Sequence, residues 1–335
     1  MRSIVPTRKR TVVGISVLGL GLAFPAVAGV ACGQAGPAPT AQCSSVSLPV
    51  AQSAPAPVCS CPEVEPPQAP AAASASAAQE EKPGLCAEGM AFIEGEYCPL
   101  VEQRCLEHGK NKAAEDMEAI CLKFEKPSVC LSPQRAHMRF CMDKYEYPNK
   151  VGEMPRVLVT WEEASKLCKQ ENKRLCSESE FNFACEGEEM LPYSYGFERD
   201  ANKCNVDKPY KEPGDFAPRN FSTCERDKAC KAGFDRLDAR GAIGERAECV
   251  SPFGVFDLNG NVNELVMLRY KEPPHRAALK GGWWGPVRGR CRPIVSHHDE
   301  RYLGYEVGFR CCSKPLDEEA KQKKGHGART AKRGR

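Results

Sequence analysis

Between Pro252 and Cys312 the alternation of apolar and polar positions is sharpest. Phe253, Val255 and Phe256 are apolar, the chain then breaks into the polar run Asp257-Leu258-Asn259-Gly260-Asn261, and apolar character returns at Val262, Leu265 and Val266. Gly and Asn tolerate a left-handed backbone, so this run predicts a tight turn between two buried segments. Gly281-Gly282-Trp283-Trp284-Gly285 sets two large rings beside residues without side chains, which predicts close backbone approach at the centre of a core. Upstream, Gly89–Gly95 reads as a strand entering a turn, and Arg139–Pro148 as a second strand ended by its proline. Cys105–Leu122 has room for a helix. Thr160-Trp161-Glu162-Glu163 and Ser177-Glu178-Ser179-Glu180 are capping boxes, each followed by an apolar stripe at helical spacing. Those stripes end on Cys168 and Cys185, which places both cysteines on buried faces of short helices. From Pro192 to Cys249 the chain is polar and rich in Gly, Pro and Asp, and it predicts long loops held by disulfides in place of regular structure.

The two ends read differently. Arg2, Arg8, Lys9 and Arg10 precede an uncharged run from Thr11 to Ala31, with a small-x-small site at Ala26-Val27-Ala28. Residues 1–28 are therefore expected to be a secretory signal peptide. The competing reading is a single membrane anchor, which Gly14, Gly19, Gly21 and Pro25 weaken. Lipid attachment at Cys32 matches poorly, because Gly29 stands where a bulky aliphatic residue is usual. Residues 29–84 are Ala-, Pro- and Ser-rich, too poor in apolar side chains to offset chain entropy, and read as a disordered linker. Residues 316–335 read as a basic disordered tail, leaving 85–315 as the folded domain.

Composition narrows the function. The net charge of the 335 residues is only +3, and the basic tail has no interleaved aromatics, so no nucleic-acid partner is expected. The only membrane contact the sequence offers is an N-terminal anchor or lipid. Twenty cysteines behind an export signal imply disulfides formed outside the cytoplasm, in the periplasm, at the cell surface or in a secreted protein. Zinc ranks below disulfides because no C-x-x-C pair occurs.

The blocks Gly89–Gly95, Phe140–Asn149, Val159–Cys168, Lys173–Cys185, Phe253–Leu265, Lys280–Trp284 and Gly308–Cys311, in that order, resemble the sulfatase-modifying-factor domain of formylglycine-generating enzymes. The resemblance implies an α+β fold, compact, C-type-lectin-like, poor in regular secondary structure and rich in disulfides. It implies the pairings Cys168–Cys311 and Cys185–Cys291, each closing a loop of over a hundred residues and worth ~4–5 kcal/mol in the loop-entropy model. It also implies a structural calcium site at Asp257, Gly260, Val262 and Glu264, and a weaker second set that includes Asn205 and Val206. The competing reading is that Asp257 caps a turn and Glu264 pairs with an Arg or Lys.

The match fails at the reactive centre. Formylglycine-generating enzymes hold copper with two thiolates in the interval after the Gly-Gly block. Here that interval, Trp283–Arg290, has no cysteine, and Cys291 aligns with a structural half-cystine. No formylglycine-generating activity and no catalytic residue are therefore expected. A groove lined by Trp283, Trp284, Arg288, Arg290, His297 and His298 remains, and Arg288, Arg290 and Arg292 beside the tryptophans suit an anionic or sugar ligand, the competing reading being surface ion pairs. On an extended segment, adjacent histidines point opposite ways, which argues against an iron site at His297-His298. Two function classes follow: an exported non-catalytic module binding a peptide, glycan or envelope protein, favoured by the missing thiols, and a metal-dependent oxidoreductase using iron or copper.

Overall fold

The computed structural model describes residues 84–109 and 120–318. The expected signal, most of the linker, cysteines 32, 43, 59 and 61, and the tail beyond 318 lie outside the described residues. Strand β1 (Met90–Tyr97) pairs antiparallel with β6 (Ala136–Asp143) along its whole length, from Met90 opposite Asp143 to Tyr97 opposite Ala136. Ala91, Ile93, Phe140 and Met142 turn their side chains into the main core. The chain leaves β6 five residues before Pro148, earlier than expected. The departure sends side chains inward: Glu146 is fully buried, Tyr145 stacks on Phe256 and Tyr147 on Phe309.

Two hairpin-like pairs lie between these strands. β2 (Val101–Glu102) pairs with β5 (Val129–Cys130), and β3 (Cys105–His108) with β4 (Cys121–Phe124). The helix expected over Cys105–Leu122 is thus replaced at both ends by antiparallel strands, tied by the Cys105–Cys121 disulfide. Such a cross-link holds the segment ends side by side, which a helix of that length forbids.

Helices α1 (Trp161–Gln170) and α2 (Glu178–Glu186) form where the capping signals stand. At α2 both halves of the box are made: Ser177 Oγ accepts from the Glu180 N–H, and Glu180 accepts from the Ser177 N–H at 2.8 Å. At α1 only Thr160 caps; Glu163 turns to Arg156 at 3.1 Å. Strands β7 (Arg174–Leu175) and β11 (Cys311–Ser313) complete a four-stranded sheet in the order β1-β6-β11-β7. Its seams are covalent: Cys168 bonds Cys311 and Cys176 bonds Cys312. Cys185 bonds Cys291.

The segment from Pro192 to Cys249 is not all loop. It contains α3 (Phe221–Arg226) and α4 (Lys228–Leu237), joined at Asp227, which ends the first and caps the second. Cys230, Phe234 and Leu237 form the buried face of α4, and Cys224–Cys230 staples the pair. A second sheet follows, with β8 (Asn263–Met267) between the antiparallel β9 (Ala277–Lys280) and the parallel β10 (Val307–Gly308). The folded unit runs past the Pro315 boundary: the Leu316 N–H donates to the Leu85 carbonyl, and Arg139 pairs with Asp317 and Glu318. The architecture is α+β, with little regular structure for its size and eight disulfides among the described residues. No described helix is long and apolar enough to cross a membrane.

Candidate functional site

The turn after Phe256 and the Gly-Gly block build one face together. Asp257, Gly260 and Asn261 take left-handed backbone, with φ of 57°, 84° and 54°. A Cβ at Gly260 would run into the Asn205 carbonyl, which accepts from the Asn261 N–H at 2.9 Å. Gly282, at φ 80°, would place a Cβ 2.5 Å from the Gly289 Cα. The loop Trp283–Arg290 therefore folds flat onto the turn because glycines face each other across the contact. Trp284 is buried beneath it and its N–H donates to the Asn261 carbonyl.

Thiol chemistry has no participant in this face. All sixteen cysteines from Cys86 to Cys312 are disulfide-bonded, including Cys291, the cysteine next to the loop.

The proposed calcium ligands fall into two groups with different chemistry. Glu264 is saturated: Arg310 donates to both its oxygens, through Nε and Nη2, each at 2.7 Å. Glu146, missed by sequence reasoning, accepts from Asn261 Nδ2 at 2.7 Å and from the Val262 N–H at 3.2 Å. Burial pushes Glu146 well above the usual carboxylate range, with Asp257 and Glu264 adding to the shift. Burial likewise raises Asp257 to about 6, against the pull of Arg310. The positive charge among these carboxylates is a guanidinium, so Glu264 does not fit as a calcium ligand. Asn205 does fit a cation: its Oδ1 is buried with no hydrogen-bond donor, while its Nδ2 is spent on the Ala239 carbonyl and Asn261 Oδ1. No cluster of three or more His, Cys, Asp or Glu side chains suited to a metal occurs among the described residues.

The six residues expected to line one groove separate into three places. Trp283 and Arg288 line a cavity of about 110 Å³ with Lys280, Gly281, Gly282, Val287 and the segment Pro293–Val295. Trp284 lies under it, in edge contact with Trp283 (5.2 Å between centroids), and Tyr305 meets both rings. Arg290 points elsewhere: its guanidinium lies over Phe124 and donates to Gln103 Oε1. His297 and His298 do not point opposite ways, because the chain bends there; their rings lie 4.0 Å apart and His298 stacks on Tyr302 at 3.5 Å. Burial and the neighbouring His297 lower the pKa of His298. No described ring contact joins the histidines to either tryptophan.

Lys280 is the cavity residue that sequence reasoning passed over. It ends β9 and is 1 % exposed, yet its ammonium has no carboxylate partner and makes one hydrogen bond, to the Arg292 carbonyl at 2.7 Å. Burial lowers its pKa to about 7. The signal lay in its place after the apolar run Ala277–Leu279 and before two glycines packed closely against Leu258 and Gly289.

Comparison with curated proteins finds no match. Solved structures with a similar chain course include CarF (13 % identity, TM-score 0.42, covering 67 % of this chain and 97 % of that one). Treponema denticola variable protein 1 is similar at 12 % identity and TM-score 0.37, over 67 % of this chain and 99 % of its own. PvdO from Pseudomonas aeruginosa is similar at 15 % identity and TM-score 0.34, over 67 % and 94 %. The sulfatase-modifying factor enzyme 1-like domain matches residues 103–315, more than half of the chain. With that match, this chain belongs to the sulfatase-modifying-factor family and carries its fold.

Proposed function

We propose that this chain is an exported, non-catalytic member of its family, a module that binds a ligand or an envelope partner through the face around Trp283. The observation that carries this reading is the state of its sulfur. The loop after the Gly-Gly block has no cysteine, and the cysteine that ends it, Cys291, is bonded to Cys185. A soft metal held by thiolates needs two free sulfurs there. The disulfide density supports an oxidising, extracytoplasmic location. Calcium is the cofactor its oxygen donors suit: Asn205 Oδ1 and the Val206 carbonyl would hold it. The ion would supply a fixed positive charge to those oxygens. Its role there is structural.

The test is an assay for aldehyde on a sulfatase-type cysteine peptide, using full-length oxidised protein supplied with copper and oxygen. No aldehyde is expected; its formation would overturn the reading.

A further inference from the structure

We infer that the cavity between helices α3 and α4 and the loop from Tyr147 to Leu158 is a second binding site, for an alkylammonium: a lysine side chain with apolar neighbours, or a free amine of the same build. This cavity shares no lining residue with the one under Trp283.

Its walls are fixed before any ligand arrives. The volume, about 560 Å³, falls in the ~300–1,000 Å³ range of sites for organic ligands. The Phe221 N–H donates to the Leu158 carbonyl at 3.1 Å and ties the start of α3 to the loop. The Cys224–Cys230 disulfide ties α3 to α4, and Arg240, just past α4, donates to the Pro155 carbonyl. Ile243 pins the loop from outside: its carbonyl accepts from the Gly152 N–H and its N–H donates to the Glu153 carbonyl, each at 2.9 Å. A site held in this way spares a ligand the cost of ordering it.

The charges of the lining are matched on one side only. Each of its three cations already has a carboxylate. Lys231 donates to both Asp235 oxygens, at 2.9 and 2.6 Å, and Arg240 to both Asp238 oxygens at 2.8 Å. Arg156 pairs with Glu163 at 3.1 Å. The carboxylates left over are Glu225 on α3 and Glu153 on the loop. Glu225 is exposed and makes no hydrogen bond or ion pair to any described residue. Glu153 has only Lys150, at 3.6 Å in an exposed pair, which is worth little.

The remaining walls ask for hydrocarbon. Leu158 and Pro155 are buried, while Met154 is left 44 % exposed, a flexible apolar side chain of the kind that adapts to ligands. Phe221 and Phe234 each already carry a guanidinium over the ring, Arg156 at 4.5 Å and Arg240 at 5.0 Å, so these walls tolerate positive charge close by. A bare metal ion would leave the apolar walls unmet, and a neutral apolar ligand would strip water from Glu225 without replacing it. An ammonium on a methylene stem meets both needs.

The experiment is a titration of full-length oxidised protein, followed by calorimetry. The probes are acetyl-Leu-Lys-Leu-amide, the same peptide with norleucine in place of lysine, and 1,5-diaminopentane. The lysine peptide is expected to saturate and the norleucine peptide to bind about tenfold more weakly. Added salt should weaken the lysine peptide and spare the norleucine one. Tighter binding of the peptide than of the diamine would support the proposal with a protein segment as the source; the reverse would support it with a free amine. Glu225→Gln should weaken the lysine peptide about fivefold, and Met154→Ser should weaken both peptides, each with an unchanged melting temperature. Saturation by neither amine, a norleucine peptide as tight as the lysine one, a salt-insensitive affinity, or undiminished affinity in either variant would overturn the proposal. These results fail separately from the reading above, because aldehyde formed on a cysteine peptide sinks the non-catalytic role whatever this cavity binds.

Discussion

Arg310 and Glu264 form a two-pronged ion pair in which both side chains are 1 % exposed. The guanidinium also donates to the Phe256 carbonyl at 2.9 Å, so one side chain ties β11's approach, β8 and the turn before Asp257 together. Removing one partner leaves a buried charge without its mate. Arg310→Met should destabilise by about 3–5 kcal/mol in urea unfolding at neutral pH. Replacing both, as Arg310→Met with Glu264→Leu, should recover most of that loss. A double variant as unstable as the single would show that the pair does more than neutralise itself.

Lys280 predicts a pH dependence. Its folded pKa, about 7, lies below the ordinary 10.5; burial is the main cause, Glu178 and Glu186 oppose it, and Arg292 and Arg290 add to it. Between those values the unfolded chain holds a proton that the folded chain has released. The contribution of this lysine to stability therefore rises as pH climbs from 7 towards 10.5 and is lost as pH falls through about 7. Unfolding free energies measured from pH 7 to 9.5 should climb by up to about 1.4 kcal/mol per pH unit from this group. Lys280→Met should flatten that rise; an unchanged slope would contradict the assignment.

Loop length ranks the disulfides. Cys168–Cys311 spans 143 residues and Cys224–Cys230 spans 6. In the loop-entropy model the first is worth about 5 kcal/mol and the second about 2 kcal/mol. Paired Cys→Ala variants should follow that order in chemical denaturation. The reverse order would mean that the α3–α4 staple organises more of the fold than its own turn.

Calcium removal tests Asn205. Chelation with EGTA should lower the melting temperature of the full-length protein, and Asn205→Ala should lower it in calcium and abolish the response to EGTA. Glu264→Gln should destabilise through Arg310 yet keep the EGTA response. A response lost in the Glu264 variant and kept in the Asn205 variant would move the ion to the other carboxylate set.

Local signals in the sequence carried far; the long-range cross-links Cys168–Cys311 and Cys185–Cys291 came only through the family resemblance. Ser177 and Glu180 spell a box that needs only three residues, and the left-handed turn at Gly260 follows from residue types alone. The α4 face, Cys230-Phe234-Leu237, was hidden because Gly233 and the charged residues around it dilute an apolar stripe one residue wide. Cys105 and Cys121 looked like the ends of a helix because their pairing as strands depends on a cross-link that spacing does not encode. At the site, Trp283 and Arg288 were legible as neighbours in sequence that stay neighbours in space. Arg290, two residues on, turns to Phe124 on a distant strand. Lys280 and Arg310 escaped notice for one reason: a long cation reads as surface, and only the fold shows what buries it.

Among the described residues, sulfur builds the scaffold and none is left to react. Alkylation of the native protein without reductant, followed by peptide mass spectrometry, tests it directly. An intact Cys185–Cys291 cross-link and no alkylated cysteine between Cys86 and Cys312 are expected. An alkylated Cys291, or Cys291 joined to any other partner, would contradict it.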